Sequence, residues 1–270
     1  MKKIVPILLL ILLFAGAAWF SFMKPTDPVH ELPPPVITPA PTVTPEPSQP
    51  QPNNAVVYPE SDSVPVTPPV TPPEPLPALN ESDLEVKREL GDIAGADPLT
   101  QYLVTDQVIS RVVASIDSLT SRQVPVHINP IRSAEDTLLV DKEGESVVLS
   151  PRNYARYDGY VALMQGMDTD SLITFYRRYY PLFQQAWEEN GGLGSFENRM
   201  LEVIDDLLEA PNVPGPVYLF KPEAVYLFED QELESMTAGQ KVLVRMGSAN
   251  AEVVKEKLAE IKEGLGSQGG

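Results

Sequence analysis

The chain has 270 residues, no Cys, two His, 29 Pro and a formal net charge of −18. A sequence without Cys excludes disulfides, thiolate zinc sites, iron–sulfur clusters and a cysteine nucleophile together. The acidity argues against nucleic acid or an anionic lipid surface as the main partner, because both would be repelled.

Met1-Lys2-Lys3 precedes Ile4 to Met23, a run of 20 residues without charge that Lys24 closes. About 20 apolar residues are what a helix needs to cross the hydrocarbon core. Trp19 and Phe22 stand where an interfacial belt is expected, and Lys2 and Lys3 favour a cytoplasmic N-terminus. Residues 1–24 therefore read as a signal-anchor, a transmembrane helix in the cytoplasmic (inner) membrane, with the rest of a single-pass protein in the periplasm. A cleaved signal peptide is the alternative, since Ala15-Gly16-Ala17 has the small-x-small shape of a cleavage site. Either reading exports the rest of the chain.

Residues 25–79 hold 19 of the prolines, no Lys or Arg, and six acids. Their apolar residues are mostly isolated Val and Ile, so no stripe can be buried to offset the entropy of ordering. The segment reads as a disordered Pro-rich linker with polyproline II bias, reaching roughly 170 Å at about 3.1 Å per residue. Its Thr-Pro and Pro-Pro repeats carry only a weak signal for proline-recognition modules.

Residues 80–265 are long enough for one hydrophobic core, followed by a flexible tail at 266–270. From Asn80 onward there are 17 basic and 32 acidic residues, a balance of −15, so the acidity belongs to this part of the chain. Ser82 is expected to cap a helix from Asp83 to about Ile93, and Thr105 a second one with Val108, Val112, Ile116 and Leu119 on one face. Thr137–Val140 and Ser146–Leu149, either side of Lys142-Glu143-Gly144-Glu145, predict a hairpin. Ser150-Pro151 reads as the start of a helix that places Tyr154, Tyr157, Val161 and Met164 on one side. An aromatic helix follows from Leu172 to Trp187, with Pro181 expected to kink or split it and Asn190-Gly191-Gly192 to end it.

Ser195 is expected to cap a helix with Phe196, Met200, Val203, Ile204 and Leu207 inward. Val217–Phe220 and Val225–Phe228 repeat the tetrapeptide Val-Tyr-Leu-Phe and read as β-prone apolar segments. Thr237 with Gln240 forms a capping box, Gly247 a stop, and Ser248 opens a last helix carrying Val254, Leu258 and Ile261. The fold class is mainly α: a helical domain with a small β-hairpin or sheet element, preceded by a transmembrane helix and a disordered Pro-rich linker.

Four runs carry a family resemblance. They are Asn153-Tyr154-Ala155-Arg156-Tyr157-Asp158, Tyr176-Arg177-Arg178 through Tyr180-Pro181-Leu182-Phe183-Gln184-Gln185-Ala186, Val203-Ile204-Asp205, and Gly239-Gln240-Lys241 through Arg245-Met246-Gly247. Together they resemble the bacterial domain-of-unknown-function family 3014, over roughly Glu81 to Ile261. The resemblance implies a bacterial protein with one N-terminal membrane segment, a proline-rich spacer and this domain. It supplies no catalytic residues.

The nearest thing to a binding site in the sequence is Arg152, Tyr154, Arg156, Tyr157, Arg177 and Tyr180, because arginine and tyrosine together serve binding hot spots. Against this, Tyr154, Tyr157, Phe175 and Tyr179 fall on apolar stripes, and Arg152, Arg156, Arg177 and Arg178 fall off them, where solvated or salt-bridged arginines belong. Trp187, four residues after Phe183, is expected to be packed. His127, between apolar residues, is expected to be structural. Asp205-Asp206 and Glu188-Glu189 are acid pairs of the kind a glycosidase needs, but 32 acids yield such pairs by chance. Gly192-Leu193-Gly194-Ser195 lacks the strand and partner His of a nucleophile elbow. No cofactor and no metal is expected, and no catalytic residue is assigned.

The function expected from these features is a membrane-tethered periplasmic binding or scaffold module of unknown ligand, whose partner is a cell-envelope protein or cell-wall component, with the features leaning away from an enzyme. The alternative is a carboxylate-dependent envelope hydrolase acting on glycan or peptide.

Overall fold

A computed structural model describes residues 75–94, 103–104, 106–122, 128, 138–223 and 225–266. Thr105, His127, the Ile4–Met23 run and nearly all of the proline-rich segment lie outside them. Among the described residues, no helix is long and apolar enough to cross a membrane. Leu76 and Leu79, which composition groups with the linker, pack against the core.

Helix α1 (Asp83–Ala94) buries Val86 and Leu90. Ser82 does not cap it by accepting from the first turn: its hydroxyl donates back to the Leu79 carbonyl at 2.8 Å. Helix α2 (Val108–Ser118) buries nearly a whole side. Its N-terminus is closed from a distance. The Asp83 carboxylate accepts from the backbone N–H groups of Gln107 (2.7 Å) and Val108 (2.8 Å), with Gln107 in the left-handed region at φ 53°.

Strands β1 (Val140–Glu143) and β2 (Ser146–Leu149) form the expected hairpin, but the first strand starts later and the turn is tighter than the sequence suggests. Glu143 pairs with Ser146, which leaves a two-residue loop at Gly144-Glu145. Gly144 has φ +63°, the conformation that a hairpin twisted with its strands requires at this position. After β2, Ser150 makes no capping bond, and Pro151–Asn153 forms a 3₁₀ turn. The Asn153 side chain does the tying instead. Its amide donates to the carbonyls of Leu139 (2.7 Å) and Ser150 (2.8 Å), while its oxygen accepts from Leu139 N–H at 3.0 Å.

Helix α3 (Ala155–Gln165) buries Val161 and Met164. Helix α4 (Thr169–Glu189) is capped by Asp168, which accepts from Ser171 N–H, and runs unbroken through Pro181. Pro181 is exposed, and the residues before and after it bury one continuous apolar face, which keeps the helix whole despite the bond the proline cannot make. The inward face buries Phe175, Tyr176, Tyr179, Phe183 and Trp187. Gly191 (φ +83°) and Gly192 stop the helix, with Gly192 N–H bonded to the Trp187 carbonyl at 2.9 Å. Helix α5 (Phe196–Leu208) starts at Ser195, whose hydroxyl accepts from Asn198 N–H at 3.1 Å. Phe196 stacks on Phe183 at 6.0 Å between centroids, which joins α4 to α5.

Strands β3 (Tyr218–Phe220) and β4 (Leu227–Phe228) complete an antiparallel sheet in the order β1-β2-β3-β4. Helix α6 (Gln231–Ser235) is capped by Asp230. Helix α7 (Ala238–Arg245) is capped by Thr237, whose hydroxyl accepts from Gln240 N–H. The capping box is only half formed, because the Gln240 amide turns away to the Asp206 carbonyl and carboxylate. The α7 N-terminus also donates into the end of α2, Ala238 N–H to Ser121 O and Gly239 N–H to Leu119 O, at 2.8 and 2.9 Å. Helix α8 (Ser248–Gly266) packs on α3, α4 and α5.

Two hydrophobic clusters result. The larger joins all helices except α6. The smaller lies under the sheet and contains Leu149, Val217, Leu219, Phe228, Leu233 and Val244.

Candidate functional site

The six arginines and tyrosines singled out in the sequence do not converge. Arg152 is exposed beside the hairpin, where it reaches Asp141 at 3.1 Å and the Ser150 hydroxyl at 3.2 Å. The Tyr154 ring sits over Gly247, so close that a Cβ there would lie 2.8 Å from it. Its carbonyl accepts from Asn250 at 3.1 Å. Tyr157 packs against the core, where burial raises its hydroxyl pKa while the cations of Arg245 and Arg156 oppose the rise. Arg177 donates to the Leu265 carbonyl at 3.3 Å, and Tyr180 donates to Gln184 at 3.2 Å. Asn250 and Leu265 lie on one helix, about 22 Å apart at 1.5 Å per residue, so the Tyr154 and Arg177 ends belong to different parts of the surface.

The arginines off the apolar stripes mostly serve the scaffold. Arg178 bridges Glu85 (2.7 Å) and Glu89 (3.4 Å), and the Tyr179 hydroxyl donates to the same Glu85 carboxylate at 3.1 Å. This holds the Glu85 pKa below the usual carboxylate range, against the opposing pull of burial. Arg199 binds Asp117, Thr120 and Glu202 across the end of α2. Trp187 is buried and donates to the Leu193 carbonyl at 3.3 Å.

The acid pairs are likewise occupied. Asp205 meets Lys262, while Asp206 accepts from Thr237 and Gln240. Glu188 and Glu189 accept from Gln184 and Gln185. Burial raises the Asp206 pKa, with the Thr237 bond opposing it. Among the described residues, no group of His, Cys, Asp or Glu is arranged to hold a metal ion.

Two features stand out that the sequence reading did not single out. The first is a buried charge cluster between the helices and the sheet. Lys241 and Arg245, one turn apart on α7, are 2% and 3% exposed. Lys241 meets Glu234 at 2.5 Å, and the other Glu234 oxygen accepts from Phe228 N–H at 2.9 Å. The Arg245 guanidinium lies 4.9 Å from the Phe228 ring centroid. Burial lowers its pKa, while Tyr157 and Glu234 support its charge. The attraction within such a cluster is largely offset by the cost of taking its charges out of water, whereas removing one partner strands the other.

The second is the outward face of the sheet. Side chains directly opposite each other share a face. The pairs Asp141–Val148 and Val148–Tyr218, continued by the Glu229 N–H bond to Tyr218 O, give one outward row: Asp141, Val148, Tyr218, Glu229. Glu143–Ser146 and Phe220–Leu227 give the next. Tyr218 and Phe220 remain 41% and 44% exposed, and the Tyr218 hydroxyl reaches Glu143 at 3.4 Å. Beside this face is a groove of about 550 Å³, with Val213, Pro216, Val217 and Leu233 as its apolar lining and Glu229 and Asp230 as its charges. Three- and two-residue strands are too short for alternation to reveal in a sequence which aromatic ring faces water.

The architecture defines a mainly helical domain carrying a small four-stranded antiparallel sheet. The family model "Protein of unknown function (DUF3014)" matches residues 108–262, from the first residue of α2 into α8. The chain belongs to that family. No curated protein and no solved structure matches it.

Proposed function

We propose that the protein is a membrane-tethered, extracytoplasmic binding module, and that the outward sheet face with its groove is where it binds. The observation that carries this reading is the pair of exposed aromatic residues, Tyr218 and Phe220, side by side on the outward face of the sheet next to a cavity of about 550 Å³. Tyrosine is enriched at binding hot spots because it offers a large apolar area and a polar tip. The uncharged Ile4–Met23 run followed by a proline-rich spacer supports tethering, which raises local concentration and makes a weak contact useful.

The test is a photo-crosslinking amino acid placed at Tyr218 in the full chain, irradiated in intact cells. A discrete adduct to an envelope component is expected there, and not from the same probe at Glu256 on α8. Equal, diffuse labelling from both positions overturns the reading. A reporter fused after Gly270 that is active only in the cytosol overturns the location.

A further inference from the structure

Resting on that reading, we infer the chemistry of the occupant: the sheet face takes a lysine- or arginine-bearing segment of another protein, with one cationic side chain over the Tyr218 ring between the carboxylates of Glu143 and Glu229. The geometry comes from the register. Tyr218 is at the centre of the outward face, Glu229 is directly opposite it on the β4 side, and Glu143 lies diagonally across within reach of its hydroxyl. A cation above an aromatic ring and within range of two carboxylates gains from both the ring quadrupole and the charges. Phe220 and Leu227, one row along, give the aliphatic stem of that side chain an apolar floor. The charges that line the groove, Glu229 and Asp230, have one sign, while Asp141 at the far end of the Tyr218 row is already paired with Arg152. Glu229, Asp230, Glu232 and Glu234 fall within six residues that contain no Lys or Arg, although Glu234 is occupied by Lys241.

Charge decides among the occupants such a face could have. The chain's own residues 25–79 contain six acids and no base, so they are repelled. A second copy brings a folded part with a balance of −15 and is repelled as well. An anionic membrane surface has the same sign. A basic protein segment is the one occupant that the aromatic rings and the carboxylates both favour.

The experiment uses the full-length protein in zwitterionic nanodiscs and two fluorescein-labelled ten-residue probes, one alternating lysine and serine, the other glutamate and serine. Fluorescence anisotropy is read with and without added salt. The lysine probe is expected to bind, the glutamate probe not, and salt to weaken the binding. A chain this acidic attracts any polycation, so the decisive arm leaves net charge unchanged. Replacing Tyr218→Ser and Phe220→Ser together is expected to weaken the lysine probe at least tenfold. Glu256→Gln with Glu263→Gln, which removes two charges on α8, is expected to change it less than twofold.

Should the serine variant unfold, as judged by circular dichroism, Glu143→Gln with Glu229→Gln replaces it, with an expected weakening of about fivefold. If the Tyr218/Phe220 variant binds the lysine probe as tightly as the parent, or the α8 variant loses as much as the sheet variants, the attraction is diffuse and the inference fails. If the Tyr218 cross-link forms in cells while the lysine probe does not bind, the binding-module reading stands and only the cationic occupant is wrong.

Discussion

The carboxylate of Asp83 closes the N-terminus of the helix that begins at Val108, 25 residues away, by accepting the N–H of Val108 at 2.8 Å and that of Gln107 at 2.7 Å. One residue thus satisfies two amides that α2 leaves unbonded and places negative charge at the positive end of its dipole. The bond also ties α1, which lies before the family match, to the first helix within it. Asp83→Ala is expected to cost about 1.5 kcal/mol, the upper part of the range for a lost cap. Urea unfolding measures it, and Asp83→Asn, which keeps one acceptor, is expected to recover part of the loss.

Gly192 faces the Trp187 indole, and a Cβ there would come within 2.0 Å of the ring. Gly192→Ala therefore has to displace the indole, break its 3.3 Å bond to the Leu193 carbonyl and open the contact with Phe196. A cost of about 2 kcal/mol is expected, as for other overpacked sites. Trp187 is one of two tryptophans, so a shift of the emission maximum reports its displacement directly.

Glu234 is the carboxylate facing the buried Lys241. Glu234→Gln leaves that ammonium, and Arg245 close by, with less opposing charge in a place water barely reaches. A loss of about 3 kcal/mol is expected, because breaking a buried pair strands the remaining charge. The midpoint of guanidinium unfolding measures it. A loss below about 1 kcal/mol would show that water reaches the cluster freely.

The Glu85–Arg178 pair gives the stability an acid-side dependence of known sign. The folded-state pKa of Glu85 lies below its ordinary value, because Arg178 and then Tyr179 bond to the ionised form. Its contribution is therefore present above the ordinary glutamate pKa and is lost as the pH falls through the lowered folded value. Glu260, bonded by Lys257 and Thr169, acts in the same direction. Asp206 acts in the opposite one: its pKa is raised by burial, so protonation relieves a cost. Glu85→Gln is expected to lower the melting temperature at pH 7 and to flatten its decline between pH 5 and pH 3. An unchanged slope would show that the pair contributes nothing.

What was legible in the sequence was what local periodicity writes down. The inward faces of α4 and α5, the Ser195 and Thr237 caps and the Gly191-Gly192 stop follow from residues within a turn of each other. The Asp83 cap, the turn of the Gln240 side chain to Asp206 and the burial of Lys241 depend on contacts between distant segments, and no spacing rule records those. The second strand of the hairpin was found where it lies, but the first was placed three residues too early, because Val140 to Glu143 alternates too little to mark a strand. Of the two outcomes expected at Pro181, the split does not occur, because the segments on both sides bury one continuous apolar face that outweighs the lost bond and the ring's crowding of the preceding turn. The candidate surface stayed hidden for a different reason. Tyr218 and Phe220 look like core until the register shows them pointing away from it.

The two Val-Tyr-Leu-Phe stretches are identical in letters and opposite in use. Leu219 pairs with Phe228 and Phe220 with Leu227, so the phenylalanine of the first copy faces solvent and that of the second is 1% exposed. Sliding β4 by one position would exchange a leucine for a phenylalanine inside and out, a nearly even trade in grease. Apolar matching alone is thus a poor guide to which alignment wins. The clasp that chooses is polar: the Glu234 oxygen that holds the amide of Phe228. A half-buried carboxylate here sets the phase of the sheet, and with it which ring the molecule shows to the outside.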